Sequence, residues 1–448
     1  MPNWKEYKLV DVCKKIGSGA TPRGGGDTYL ESGEYSLIRS QNVIDFEFST
    51  NGLAFISEEQ ANKLNNVELE ERDVLLNITG DSVARVCQVP NNILPARVNQ
   101  HVAIIRPDKK ILNPEFLKYS LLTPKFKEYM LMLSSSGATR NAITKGMIEN
   151  FIIRAPDLPT QTAIAEILSS LDDKIELNNQ INQELEALAQ ALFKQWFIDF
   201  EFPNENGLPY KSSGGEMVES ELGEIPKGWS VKKLKEILTI KRGGSPRPIQ
   251  DYMAPQGLPW VKISDATAIN TPFLFSTKEF IKPEGLNKTI LLKKGSLILS
   301  NSATPGLPKF LELDACIHDG WLHFQDIKEL SYPFLYLLFL SIRENLVGRG
   351  NGSIFINLKT DILKEYSIVV PPNNALKKFD EISISILEQI KQSAAEIIEL
   401  QRLRDTILPK LISGELEVSE VSNKIKGPTS PGKMDGQAGI RLVKSVKK

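Results

Sequence analysis

One long stretch without glycine or proline constrains this chain more than any other feature. From Thr160 to Phe202 the sequence runs for 43 residues with neither residue, which is far longer than a typical globular helix. Apolar side chains recur at alternating steps of four and three residues from Ile164 to Trp196, the spacing of a coiled-coil seam. At ~1.5 Å per residue such a helix would extend roughly 60 Å. Because one compact domain cannot bury that seam alone, the stretch predicts a partner helix.

A second run without glycine or proline, from Ala375 to Leu408, supplies the expected partner. Adding 215 to each seam position of the first run gives a mostly apolar series in the second. We therefore expect the two helices to pack antiparallel, with Asn178 and Asn182 in the middle of the seam, where buried amides fix register. The alternative phase places Ile181 in the seam and the amides on an exposed flank. The predicted seam and partner-binding residues are Leu168, Leu171, Ile175, Asn178, Leu185, Leu192, Ile386, Ile390, Ile397, Leu400 and Ile407.

The second run belongs to a duplication of nearly the whole chain. Pro156 matches Pro371 at an offset of 215, and Thr21-Pro22-Arg23 matches Ser245-Pro246-Arg247 at an offset of 224. The offset drifts steadily between these points, as it does in a true repeat whose loops differ in length. The sequence thus predicts two copies of one unit, a globular domain followed by a long helix.

The predicted fold class is α+β, because short apolar runs typical of strands alternate with helical segments in each copy. Two tandem globular domains are each followed by a long helix, and the two helices pack as an antiparallel coiled coil. Helices are predicted to begin at Pro114 and at Pro333, since proline is favoured in a first turn. The predicted segments are domain 1 (1–156), helix 1 (157–202), a linker (203–226), domain 2 (227–372), helix 2 (373–412) and a flexible tail (413–448).

Composition and charge narrow the class of protein. With 41% hydrophobic and 24% charged residues, the chain is an ordinary globular protein, and its longest strongly apolar run, Pro333 to Ile342, is too short to cross a membrane. Three cysteines without metal spacing are typical of a reducing cytoplasm. Residues 157–226 carry 14 acidic and 3 basic side chains, whereas residues 227–372 carry 19 basic and 13 acidic ones. This distribution favours nucleic-acid contact through the domains alone.

Polar loops at matched positions of the two copies are the candidate DNA-binding sites. Arginine can bind guanine, amides can bind adenine, and serine or threonine can reach bases or phosphates. In domain 1 the candidates are Arg23, Arg39, Ser40, Gln41, Asn42, Asn77, Thr79, Arg85, Thr139, Arg140 and Asn141. In domain 2 they are Lys241, Arg242, Arg247, Lys262, Ser264, Asn301, Ser302, Thr304, Arg349, Asn351 and Ser353. Any one of these loops taken alone is better explained as a simple turn, so their recurrence at matched positions carries the hypothesis.

Signals for catalysis are weak. The Asn- or Asp-Pro-Pro-Tyr/Phe motif of adenine methyltransferases does not occur, and His318 with His323 lies in a strand-like run rather than at a metal-ligand spacing. Phe193, Trp196, Phe197 and Phe200 have helical spacing beside the seam. We therefore interpret these aromatic residues as core contacts rather than as a base-stacking platform.

Several segments resemble one known family. Residues 155–175 and 191–200, the linker at 223–229 and the segment 407–416 are similar to the helices and linker of type I restriction-modification specificity subunits. The resemblance covers about residues 5 to 418 and is loose in the globular domains.

The resemblance implies a specific function. Two target recognition domains would each read one half of a bipartite site in double-stranded DNA, with the helices holding them at a fixed distance. Two methyltransferase subunits would methylate adenine N6 from S-adenosylmethionine, and restriction subunits would use ATP and magnesium for translocation and cleavage. The chain itself would catalyse no reaction and bind no cofactor or metal.

Two alternatives remain open at this point. A tandem scaffold for protein interactions is compatible with the nearly neutral first domain, and it predicts no salt-dependent DNA affinity. A DNA enzyme with an unrecognised centre predicts methyl transfer or cleavage by the chain alone.

Overall fold

The computed structural model describes residues 4–22, 24–135, 142–348 and 357–421. These residues form two compact units, one from the described residues up to 175 together with those from 399 to 421, and the other from the described residues between 176 and 398. Each long helix contributes one end to each unit. Throughout the described ranges, every helix is too short or too polar to traverse a lipid bilayer.

The first unit is a mixed α and β structure. Its strands are β1 (Lys5–Lys8), β2 (Cys13–Ser18), β3 (Tyr35–Ile38), β4 (Ala54–Ile56), β5 (Val74–Asn77), β6 (Val86–Gln88), β7 (Ala96–Val98), β8 (Val102–Pro107) and β9 (Ile152–Ala155). Its helices are α1 (Leu9–Val12), α2 (Glu58–Lys63), α3 (Pro114–Leu122), α4 (Pro124–Ser135), α5 (Lys145–Glu149) and the first part of α6 (Leu158–Phe197). The sheets have the orders β2-β8-β5-β6 and β4-β3-β7, and β1 pairs with β9.

The second unit contains the matching elements with additional edge strands. Its strands are β10 (Met217–Val218), β11 (Ile225–Pro226), β12 (Ser230–Lys233), β13 (Thr239–Arg242), β14 (Met253–Ala254), β15 (Leu258–Val261), β16 (Phe273–Leu274), β17 (Glu279–Ile281), β18 (Ile290–Leu292), β19 (Leu297–Ser300), β20 (Pro308–Leu311), β21 (Ala315–Ile317), β22 (Trp321–Gln325) and β23 (Ser367–Val370). Its helices are the last part of α6, α7 (Leu234–Ile237), α8 (Ile263–Thr267), α9 (Tyr332–Gly348), α10 (Thr360–Lys364) and the first part of α11 (Asn373–Ser413), whose last part belongs to the first unit. The sheets have the orders β13-β22-β19-β20-β16 and β14-β17-β15-β21-β18, and β12 pairs with β23.

The strand orders confirm the predicted duplication and the α+β class. The order β2-β8-β5-β6 of the first unit recurs as β13-β22-β19-β20 in the second. The order β4-β3-β7 recurs as β17-β15-β21, with a parallel pair, β3 with β7 and β15 with β21, in each.

The predicted helix starts are close to the observed ones. Helix α3 begins at Pro114, and the Asn113 side chain accepts hydrogen bonds from the backbone N–H groups of Glu115 and Phe116, as an N-cap residue does. Helix α9 begins at Tyr332, one residue before the predicted start.

Helix α6 ends earlier than predicted, whereas α11 ends at Ser413, one residue after the predicted limit of 412. Helix α6 ends at Phe197, before the predicted limit of 202, and Phe200 adopts a left-handed conformation with φ of 61°. Helix α11 continues through Pro409 to Ser413, although proline removes a backbone hydrogen bond. Leu408 and Leu411 on either side of this proline are fully buried, so packing keeps the last turn helical.

The two long helices pack against each other in antiparallel order. In the second unit, the Phe197 ring of α6 lies 4.8 Å from the Phe379 ring of α11 and 4.9 Å from the Phe334 ring of α9. In the first unit, Leu168 near the start of α6 shares a hydrophobic core with Ile407 near the end of α11. Phe193, Trp196, Phe197 and Phe200 are all buried in the core of the second unit, as the sequence predicted.

The seam has the phase that places the two amides inside. Asn178 and Asn182 are 2% and 3% exposed, whereas Ile181 is 40% exposed. Asn178 donates to the Glu396 carboxylate at 2.9 Å, and the Ser393 hydroxyl donates to the Asn178 carbonyl at 3.4 Å. Among the predicted seam residues, Leu168, Ile175, Ile386, Ile390, Ile397 and Ile407 are buried, and Leu171, Leu185, Leu192 and Leu400 are half-buried.

A buried charged cluster joins the helix pair to the first domain. The Asp172 carboxylate of α6 accepts hydrogen bonds from the Tyr119 hydroxyl at 2.7 Å and from the Arg404 guanidinium of α11 at 2.9 Å, and the Lys118 ammonium lies 3.4 Å away. The Arg404 guanidinium also stacks over the Phe46 ring at 3.4 Å. Phe46 lies in the loop between β3 and β4, so this cluster fixes that loop to the helices.

Removing the carboxylate from this cluster should destabilise the first unit. We expect Asp172→Ala to lower the free energy of unfolding by about 3 kcal/mol, because the charges of Arg404 and Lys118 then stay buried with too little compensation. Urea denaturation measures this loss. Arg402→Ala is the matched control, since it breaks an exposed ion pair with Glu399 on the same helix and should cost less than ~1 kcal/mol. Equal losses of unfolding free energy for the two variants would show that the Asp172 cluster does not stabilise the first unit more than an exposed ion pair does.

Asn182 is a second test of the helix seam. Neither side-chain atom of its buried amide has a hydrogen-bond partner among the described residues, and such a group costs about 1–3 kcal/mol. Asn182→Leu should therefore raise the melting temperature. Asn178→Leu is the control, because it removes the hydrogen bond to Glu396 and should bring no such gain. A loss of stability in the Asn182→Leu protein would show that this amide is satisfied.

Candidate nucleic-acid interface

The first unit has a cleft where three loops meet at the ends of its strands. The loops follow β3, follow β5, and connect β7 to β8. The cleft has a volume of about 410 Å³ and is lined by Ser40, Gln41, Thr79, Gly80, Asp81, Ser82, Arg85 and His101. We call it cleft 1.

Buried amides hold the loops of cleft 1 in place. The Asn42 carbonyl oxygen accepts from the Arg39 backbone N–H at 3.0 Å, and its amide donates to the Ser49 carbonyl at 2.9 Å. The Asn77 amide donates to the Ser40 carbonyl at 2.8 Å. Both asparagines are fully buried, so their side chains organise the loops while other residues line the opening.

The second unit forms a cleft from the three matching loops and, in addition, from the loop that follows β13. Cleft 2 has a volume of about 750 Å³ and is lined by Ser245, Pro246, Arg247, Pro248, Ile249, Gln250, Trp260, Lys262, Ile263, Ser264, Ser302, Ala303 and His318. Asp265 takes the place of Asn42, because its carboxylate accepts from the Lys262 backbone N–H at 2.9 Å. Gly80 in the first unit and Ala303 in the second stand at matched positions, with φ of 74° and 58°.

The clefts bring together eight of the predicted DNA-binding residues. Cleft 1 gathers Ser40, Gln41, Thr79 and Arg85, and cleft 2 gathers Arg247, Lys262, Ser264 and Ser302. Lys262 forms an ion pair with Glu279 at 2.5 Å, and Arg247 forms one with Asp319 at 3.3 Å. Their assignment to DNA contact remains a prediction.

Other predicted residues lie beside the clefts or within their supporting loops. The Arg39 guanidinium donates to the Gly52 carbonyl at 2.5 Å, and the buried Asn301 amide donates to the Asp319 carbonyl at 3.2 Å. Lys241 and Arg242 are exposed on β13. The Thr304 carbonyl accepts from the Ser300 hydroxyl at 2.5 Å. Arg23, Thr139, Arg140, Asn141, Arg349, Asn351 and Ser353 lie outside the described residues.

Sequence reasoning missed a three-residue turn that occurs at the edge of both clefts. In the first unit Asn99-Gln100-His101 connects β7 to β8, and the Asn99 side chain accepts from the His101 backbone N–H at 2.9 Å. In the second unit His318-Asp319-Gly320 connects β21 to β22, and His318 Nδ1 accepts from the Gly320 backbone N–H at 2.8 Å. The available signal was a short polar triplet between two apolar runs in both copies.

In each unit, a side chain from the loop that follows β2 or β13 binds the middle residue of the turn. The Thr21 hydroxyl donates to the Gln100 side-chain carbonyl. At the matched position, the Ser245 hydroxyl donates to the Asp319 carboxylate at 2.6 Å. The two units therefore share a loop-to-turn hydrogen bond although the residues differ.

Electrostatics define the protonation states around the second turn. The hydrogen bond from Ser245 is the main cause that lowers the pKa of Asp319, so this side chain is an ionised acceptor at neutral pH. Burial lowers the pKa of His318, and its Nδ1 accepts a hydrogen bond, so the imidazole is neutral. Within the described ranges, His, Cys, Asp and Glu side chains form no group of three able to hold a metal ion.

Comparisons with known proteins agree with this architecture. The family model described as type I restriction modification DNA specificity domain matches residues 1–187 and 226–404. The chain is 26% identical to the type I restriction enzyme HindI specificity subunit of Haemophilus influenzae, over 93% of this chain and 100% of that protein. It is also 26% identical to the MjaIX specificity subunit of Methanocaldococcus jannaschii, over 94% and 95% of the two chains.

A solved structure shares the fold. The type I restriction-modification S subunit from M. genitalium matches with a TM-score of 0.55 and 16% identity, covering 91% of this chain and 96% of that one. Because the family model matches both repeats and most of the sequence, the chain belongs to the family of type I restriction-modification DNA specificity subunits.

Proposed function

We propose that each cleft reads one half of a bipartite site in double-stranded DNA. The observation that carries this proposal is the repetition, in both domains, of one cleft built around the same three loops. Two readers on one chain suit a target made of two specified blocks with an unspecified spacer. The chain supplies sequence choice and performs no reaction itself.

The side chains of the clefts fit base and phosphate recognition. Arg85 in cleft 1 and Arg247 in cleft 2 are exposed, and arginine binds the guanine edge or a phosphate through its planar fork. Gln41 offers an amide of the kind that binds adenine, and Ser40 and Thr79 offer hydroxyl groups. Exposed cations also raise the on-rate for DNA at low salt.

The reactions of such a system would belong to partner subunits. Two methyltransferase subunits would methylate adenine N6 from S-adenosylmethionine, and restriction subunits would use ATP and magnesium, all in the cytoplasm. The names of the relatives, which are specificity subunits of type I restriction enzymes, support this division. The alternative, a scaffold that binds proteins only, predicts no salt-dependent DNA affinity.

Selection from random duplex DNA tests the proposal. The chain purified with its methyltransferase subunits should enrich sequences with two fixed blocks at constant spacing. Arg85→Ala should weaken preference in one block, and Arg247→Ala in the other, each by roughly 10- to 100-fold at the affected base. Arg402→Ala, an exposed substitution on α11, is the control and should leave both blocks intact.

Three results would contradict the proposal. Absence of any enriched sequence would favour the scaffold, and enrichment of a single block would show that only one half of the site is read. Loss of both blocks by either arginine substitution alone, in a folded complex, would show that the clefts do not read separate halves.

A further inference from the structure

The middle residues of the matched turns, Gln100 and Asp319, occupy equivalent positions beside the two clefts. Each lies at the tip of a three-residue connection between two strands of its domain. In the first unit, His101 follows Gln100 and lines cleft 1. In the second unit, His318 precedes Asp319 and lines cleft 2. Gln100 is exposed, and the Asp319 side chain is 39% exposed. The backbone around both tips is fixed by the same hydrogen bond between the first and third residues of the turn.

Both side chains are oriented before any DNA arrives. Thr21 binds the Gln100 carbonyl oxygen, and the Gln100 amide nitrogen lies 3.1 Å from His101 Nε2. Ser245 binds one oxygen of Asp319, and Arg247 approaches the other at 3.3 Å. A carboxylate can accept about four hydrogen bonds, and an amide has two donors and two acceptor lone pairs. Each tip therefore keeps capacity for a base edge, at low entropic cost because the side chain is already held.

We propose that Gln100 and Asp319 determine sequence specificity, with Gln100 reading an adenine in one half-site and Asp319 a cytosine in the other. This inference rests on the function proposed above. An amide offers a donor and an acceptor together, which matches the N7 and N6 positions of adenine. An ionised carboxylate only accepts, so it suits the N4 amino group of cytosine and is repelled by phosphates.

The neighbour of Asp319 strengthens the assignment to cytosine. Arg247 presents guanidinium donors beside the carboxylate, separated by 3.3 Å. A G·C pair presents the guanine O6 and N7 acceptors beside the cytosine N4 donor in the major groove. The Arg247–Asp319 pair is therefore complementary to one G·C base pair.

The test exchanges amide and carboxylate at nearly constant shape. Complexes with Gln100→Glu or Asp319→Asn are expressed with the methyltransferase subunits, and methylated motifs are mapped on cellular DNA. Gln100→Glu should reduce discrimination for adenine at one position of one half-site by roughly 10- to 100-fold and favour cytosine there. Asp319→Asn should produce the converse change in the other half-site. Each variant is the other's control, because the half-site of the unaltered domain should stay the same.

A further variant separates base reading from loop positioning. Ser245→Ala removes the hydroxyl that holds Asp319 but leaves the Asp319 carboxylate in place to accept a hydrogen bond from the base. Methylation should therefore slow while the methylated motif stays unchanged. If Asp319→Asn and Gln100→Glu also slow methylation without changing any base of the motif, the residues only position loops and the inference is overturned. Absence of a two-block motif for the unaltered chain would instead refute the proposed function itself.

Discussion

The packing of α6 against α11 is the interaction on which the rest of the structure depends. Each end of this helix pair completes the core of one domain, with Leu168 and Ile407 in the first unit and Phe197 and Phe379 in the second. Neither domain could bury these apolar surfaces by its sheets alone, because the helix residues are part of the same contiguous cores. The polar residues in the middle of the seam favour one register of the two helices, because in a shifted register they would face apolar side chains. The main contribution comes from Asn178, which is hydrogen-bonded to Glu396.

The duplicated domains share one backbone arrangement but differ in the side chains that it carries. Strand order and the left-handed backbone positions at Gly80 and Ala303 are matched. Side chains within the cleft loops differ: Asn42 corresponds to Asp265, and Gln100 to Asp319. Each replacement keeps the acceptor that the loop needs while changing charge. Under the proposed function, such a frame would allow two different base preferences on one backbone plan.

Sequence periodicity made the long helices and the duplication predictable. The roles of individual loop residues were harder to predict. The 3.5-residue spacing and the drifting offset depend on many residues at once, so local irregularity does not hide them. Asn77 and Thr79 are both polar residues of the same predicted loop. Asn77, however, is buried and donates a hydrogen bond to Ser40, whereas Thr79 lines cleft 1. That difference depends on which strand ends meet. The end of α6 at Phe197 was also missed, because the left-handed position that follows it is taken by Phe200 rather than by a glycine.

The most direct test of the central claim is methylation mapping by single-molecule sequencing of DNA from cells that express this chain with its methyltransferase partner, beside cells that express either one alone. The account predicts N6-methyladenine confined to one two-block motif, and only when both proteins are present. A demonstrably active partner that produces no such motif with this chain, or the same motif without it, would contradict the account.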